Sequence, residues 1–164
     1  MARIWKFGDD VNTDEIIPGR FNVTTDPKEL AAHCFFEVRP EFSKEAKEGD
    51  IIIAGKNFGM GSSREHAPIS IKAAGIKAVI ASSFARIFFR NGINIGLPLY
   101  IIEGIENEVE DGETVELNLD KGLLFLTEKK KEFKLPSFPP FVEKIIKAGG
   151  VVELLKRYEL DELI

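Results

Sequence analysis

Three short apolar runs constrain this chain most: Ile51-Ile52-Ile53-Ala54, Ala78-Val79-Ile80-Ala81 and the stretch 97–102. Each is short for a helix, and each lacks the alternation of a strand with one wet face. They read as strands buried on both sides. Segments of helical pattern lie between them. Ile69, Ile71, Ala73 and Ala74 form an apolar side after Ser62-Ser63, with Pro68 tolerable near the start and Gly75 able to end the helix. Residues 84–93 predict a second amphipathic helix. Strand–loop–helix–strand–helix–strand is the pattern of an α/β unit with parallel pairing.

The flanks add shorter elements. Residues 2–7 alternate, so a strand is expected there, with Trp5 on a sheet edge in core or interface packing. Gly8-Asp9-Asp10 and Asn12-Thr13-Asp14 are turn chemistry. Asp26 can cap a short helix that Pro27 opens, with Leu30, Ala31 and Cys34 on its apolar side. Residues 40–46 look helical but mostly polar. In the tail, residues 114–119 alternate, Asp120-Lys121-Gly122 turns, and 123–127 returns, which predicts a hairpin. The basic run 128–134 reads as a solvated turn and strand edge. Helices are expected over 141–148 and 151–158, parted by Gly149-Gly150. The expectation is one mixed α/β unit over residues 1–164.

Composition removes several functions. The net charge of −5 argues against a nucleic-acid binder and gives no pull toward an anionic membrane. One cysteine, Cys34, excludes an internal disulfide and an iron–sulfur cluster held by this chain alone. Two histidines, His33 and His66, are too few and too far apart for the usual zinc spacing, so no metal site is expected. No apolar run approaches a membrane span, and residues 1–6 carry no signal-peptide core; a cytoplasmic protein is the simplest reading.

The chemistry concentrates in Gly59-Met60-Gly61-Ser62-Ser63-Arg64-Glu65-His66. Glycines let backbone approach a ligand, a helix start offers unpaired N–H groups, and a guanidinium matches a carboxylate with two hydrogen bonds. The nucleotide P-loop reading fails because Gly55-Lys56 is followed by Asn57; the dinucleotide fingerprint fails because Arg64 stands where its third glycine belongs. From spacing alone the stretch serves equally as an anion site or as a serine-capped helix after a glycine loop.

This stretch, together with Ser83-Phe84-Ala85-Arg86-Ile87, Asn91, Gly96-Leu97-Pro98-Leu99 and the upstream Asn12-Thr13-Asp14-Glu15-Ile16-Ile17-Pro18, resembles the small, swivelling domain of the aconitase superfamily. The resemblance is close over residues 3–100 and loose to 158. The free-standing length is similar to the small subunits of its isopropylmalate dehydratase and homoaconitase branches.

The resemblance implies an α/β swivelling β/β/α domain, a mixed sheet with flanking helices. It implies a hydro-lyase of two chains: a large partner subunit carries a [4Fe–4S] cluster, this chain carries no cofactor, and the substrate is a small hydroxy-diacid, isomerised by dehydration and rehydration. Ser62 would be the catalytic base, while Ser63 and Arg64 would bind a substrate carboxylate. Gly59, Gly61, Thr13, Asp14 and His66 would support the loop and cleft. The specificity segment would be Arg20-Phe21-Asn22-Val23-Thr24-Thr25, with Phe21, Asn22, Val23 and Thr24 toward the substrate. Homoaconitase-type subunits resemble Tyr-Leu-Arg-Thr there. Val23 takes the arginine's place, which favours a malate with an apolar branch, 2-isopropylmalate. Homocitrate-type acids, 2,3-dimethylmalate and citrate-like acids are the alternatives, and a non-catalytic carboxylate-binding module of the same fold is the alternative from another class. Arg86 is expected in a buried salt bridge or capping a carbonyl, and Cys34 in the core.

Overall fold

The computed structural model describes residues 2–157. The predicted parallel strands form β2 (Ile51–Ala54), β3 (Ala78–Ala81) and β4 (Leu99–Ile101). β1 (Ala2–Lys6) pairs parallel with β2, and the seven-stranded sheet runs β4-β3-β2-β1-β5-β6-β7. β5 (Thr114–Asn118) joins the free side of β1 antiparallel, and β6 (Leu123–Leu126) and β7 (Lys131–Lys134) continue by hairpins. The basic run thus forms the outer edge strand. The strand of Trp5 is not an edge, as its alternation suggested, but the centre of the sheet.

That placement explains the continuous apolar runs. Along β2, Ile52 and Ala54 face one core with Trp5, Val79 and Ala81; Ile51 and Ile53 face a second with Ile4, Ala78 and Ile80. Helices cover the first face. The antiparallel strands join the second through Val115, Leu117, Leu124 and Leu126, so the sheet curls over itself. Trp5 Nε1 donates to Asp50 Oδ2 at 3.0 Å, and Arg3 N and Lys47 N donate to the same carboxylate. A buried carboxylate held by three donors is tolerable where a lone one is not.

The helices are α1 (Thr13–Ile16), α2 (Pro27–Ala32), α3 (Glu41–Glu45), α4 (His66–Ala73), α5 (Arg86–Asn94), α6 (Pro140–Ala148) and α7 (Val151–Arg157). The expected helix end at Tyr158 lies outside the described residues. Asp26 caps α2 by accepting Lys28 N, as predicted. Residues 12–16 differ from expectation. Asn12 and Glu15 form a reciprocal capping box, which makes the turn a short helix. No helix among the described residues is long and apolar enough to cross a membrane.

Candidate active site

β1, β2 and β3 are parallel, so the segments after them emerge at one edge of the sheet. This is the edge where α/β folds gather ligands. The first segment carries Asn12 and Thr13, the second residues 55–65, the third Ser83 and Phe84. Backbone bonds zip the first two: Gly59 N donates to Val11 O at 2.7 Å and Thr13 N to Met60 O at 2.8 Å. Ser83 Oγ accepts Asn57 N at 2.8 Å, which ties in the third.

The two glycines are required by this packing. Gly59 has φ +87°, and a Cβ there would stand 2.2 Å from Phe88 Cγ. Gly61 has φ +113°, with Thr13 Oγ1 3.0 Å from where its Cβ would be. Thr13 is buried, and its Oγ1 accepts the N–H of Ser62 at 2.9 Å. Thr13 therefore ties the loop to the first segment, while Asp14, named beside it, is exposed.

Ser62, Ser63 and Arg64 are exposed. They are neither packed into the interior nor part of α4, which begins at His66 with Glu65 at its cap position and no side-chain cap. Ser62 therefore does not cap that helix. Instead its Oγ accepts the N–H of Arg64 at 3.2 Å, a local turn that presents the hydroxyl outward. An N–H aimed at this oxygen favours a negative charge on it. Ser63 O is held by Asn91 Nδ2 at 2.7 Å, from α5. Asn91 and Ser83 gain these tethering roles only in three dimensions; nothing in their spacing marks them.

The segment 20–25 divides its tasks. Phe21 stacks on His33 with ring centroids 3.9 Å apart. Asn22 turns inward beside Ser62 and Arg64. Thr24 Oγ1 accepts Asp26 N at 3.0 Å. Val23 is 92% exposed, whereas Phe21, Asn22 and Thr24 are partly buried. Arg86 corrects an expectation: it is exposed on the first turn of α5 and has no ion pair or hydrogen bond among the described residues. α5 starts at Arg86, and both Arg86 and Ile87 of its first turn face solvent rather than the core.

A larger cavity, about 550 Å³, lies at the opposite edge near Tyr100, Phe138 and Leu97. Its lysines Lys72 and Lys77 bond backbone carbonyls, and it holds none of the loop's hydroxyls. Size therefore does not locate the chemistry here.

Residues 18–103 match the aconitase C-terminal domain family. A 3-isopropylmalate dehydratase small subunit from Methanopyrus kandleri is 53% identical over 95% of this chain and 92% of that protein. The chain belongs to the family of 3-isopropylmalate dehydratase small subunits. Another member, from Aquifex aeolicus, is 54% identical over 94% of the chain and 93% of its own length. A crystal structure of 3-isopropylmalate dehydratase from Methanocaldococcus jannaschii superposes with a TM-score of 0.90 at 52% identity, covering 98% of this chain and 95% of that one. The mixed curled sheet with flanking helices is thus the fold of this family.

Proposed function

We propose that this chain is the small subunit of a two-chain hydro-lyase that isomerises 2-isopropylmalate to 3-isopropylmalate, a step of leucine biosynthesis. The observation that carries the reading is the exposed Ser62 hydroxyl, supported by the Arg64 N–H, on a chain half identical to the named small subunits over nearly its whole length.

Ser62, as alkoxide, takes the proton from the carbon alpha to a carboxylate. Arg64 and Ser63 bind that carboxylate and hold the charge that builds on it as the C–H bond breaks. Hydroxide leaves from the neighbouring carbon, giving an unsaturated diacid and one water overall. Re-addition returns the proton to the carbon that lost hydroxide and places hydroxyl on the carbon that lost the proton. The hydroxyl has moved by one position, with atoms conserved. Such an alkoxide requires a closed, water-poor cleft; an exposed loop supplies that when a second protein roofs it.

The [4Fe–4S] cluster implied by the family does not fit this chain. No group of three His, Cys, Asp or Glu among the described residues could hold a metal ion, and Cys34 is buried in the core. We assign the cluster to the large subunit. Docking of that subunit over the loop is supported by exposed apolar side chains on three site segments, Val23, Met60 and Ile87. Residues 1–164 act as one swivelling domain in this reading, in the cytoplasm. Val23 favours the isopropyl branch, since a further carboxylate would need a cation where it stands.

The test uses the holoenzyme assembled with its large subunit. Ser62→Ala should lower kcat by roughly a thousandfold or more while the two chains still co-purify. Retained turnover refutes Ser62 as base.

A further inference from the structure

Beside the proposed catalytic loop lies a small recess of about 10 Å³, bounded by Thr13, Asp14, Asn22, Ser62, Arg64 and His66. Two residues that line it each carry a buried polar atom, Asn22 Oδ1 and His66 Nδ1, with no hydrogen-bond partner among the described residues. They come from different segments, one from the substrate-branch loop and one from the first residue of α4. Each would be costly to bury alone. The space is too small for a carboxylate and suits a single water, which needs a volume of about 10–15 Å³ and two to four polar partners.

We propose that Asn22 and His66 are positioning residues that share one buried water, and that this water fixes the branch loop in register with Ser62 and Arg64. The inference rests on the reading of Ser62–Arg64 as the catalytic loop. The chemistry is complementary. An amide oxygen accepts only, whereas an imidazole nitrogen can accept or donate, so one water satisfies both. The mechanical logic follows from the rest of the loop. Phe21 is committed to His33 and Thr24 to Asp26, and neither contact involves the 61–64 loop. Asn22 is the tie facing the catalytic loop, one residue before Val23. With the water in place, Val23 is held at a set distance from Arg64, so branch and carboxylate of one substrate meet a fixed pair of contacts. Misplacement by an ångström is enough to weaken such a pair.

The experiment has two readouts on the holoenzyme. A crystal structure at about 1.5 Å should show a water within hydrogen-bond distance of both atoms, and Asn22→Leu should lose it. In steady-state assays Asn22→Leu and His66→Leu should each raise KM roughly fivefold to tenfold, the loss of about one hydrogen bond, with kcat changed less than twofold. His66→Asn, which keeps a polar atom near the Nδ1 position, should recover most of the loss. The double Leu variant should be no worse than either single, because both act through one water. An empty or directly bridged cavity, additive effects, or a His66→Asn as impaired as His66→Leu would overturn the proposal. If instead Ser62 were not the base, the water and its loss in Asn22→Leu would still be seen, so the two failures are distinguishable.

Discussion

Thr13 Oγ1 accepts the backbone N–H of Ser62 at 2.9 Å, across 49 residues of sequence. With the Gly59–Val11 and Thr13–Met60 backbone bonds, it joins the segment after the first strand to the loop after the second. Thr13→Val keeps the volume and removes the acceptor. The variant is expected to lose about 1–2 kcal/mol of stability, because the N–H of Ser62 stays partly buried without its partner. Holoenzyme kcat/KM should fall roughly tenfold, and Thr13→Ser should restore most of both. Thermal melts and steady-state rates check it.

Gly59→Ala places a methyl 2.2 Å from Phe88 Cγ at a φ of +87°. Overpacking and left-handed strain add, so a loss of about 3 kcal/mol or more is expected in denaturant titration. Gly8→Ala is the control: nothing stands within 4 Å of its Cβ position, and a change within about 0.5 kcal/mol is expected.

Val23→Arg should leave stability unchanged within about 0.5 kcal/mol, since the side chain is almost wholly in solvent. It should shift preference from 2-isopropylmalate toward acids with a third carboxylate by about 1–3 kcal/mol in relative kcat/KM. Competition assays on the assembled enzyme measure this, and an unaltered ratio would place branch recognition elsewhere.

Burial raises the Asp111 carboxyl, but the hydrogen bond from Arg39, the N–H of Lys6 and the nearby cations outweigh it, and the net shift is down. Arg39 Nη2 stands 2.5 Å from Asp111 Oδ2. A depressed carboxyl stabilises the fold above its unfolded pKa and loses that contribution as pH falls through its folded value. Asp111→Asn should therefore cost little at pH 7, under about 1 kcal/mol for a half-exposed pair, and nothing once the medium is acid enough to protonate the native carboxyl. Melts of both proteins from neutral to acid pH should converge.

The Cys34 thiol is buried, and its pKa is pushed up to about 12 by burial, partly offset by a hydrogen bond with Ser70. At pH 8 the thiolate is then about one part in ten thousand. Alkylation of the native chain by iodoacetamide should be negligible over hours and rapid after unfolding, as read by mass spectrometry.

The parallel strands were legible because two-sided burial leaves unbroken apolar runs, and residues 51–54 and 78–81 bound the strands as read. The stretch proposed as catalytic stood out because its glycines and arginine lie together in sequence. Four things were not legible. β1 looked like an edge because its alternation cannot reveal that its two faces meet two different cores. Asn12 read only as a turn former because its capping box with Glu15 depends on both side chains folding back at once. Asn91 holds Ser63 from 28 residues away, a contact with no local signature. Arg86 was misread because an arginine beside apolar helix positions says nothing of which way the first turn faces.

The central position of β1 has a consequence for synthesis. β1 meets β2 near residue 51, yet its other side waits for Thr114 and Val115. Until those residues have left the ribosome, an apolar strand carries an open row of amides, the condition under which chains join the wrong neighbour. The order of the strands makes β1 the nascent chain's main hazard and, once β5 arrives, its closing clasp.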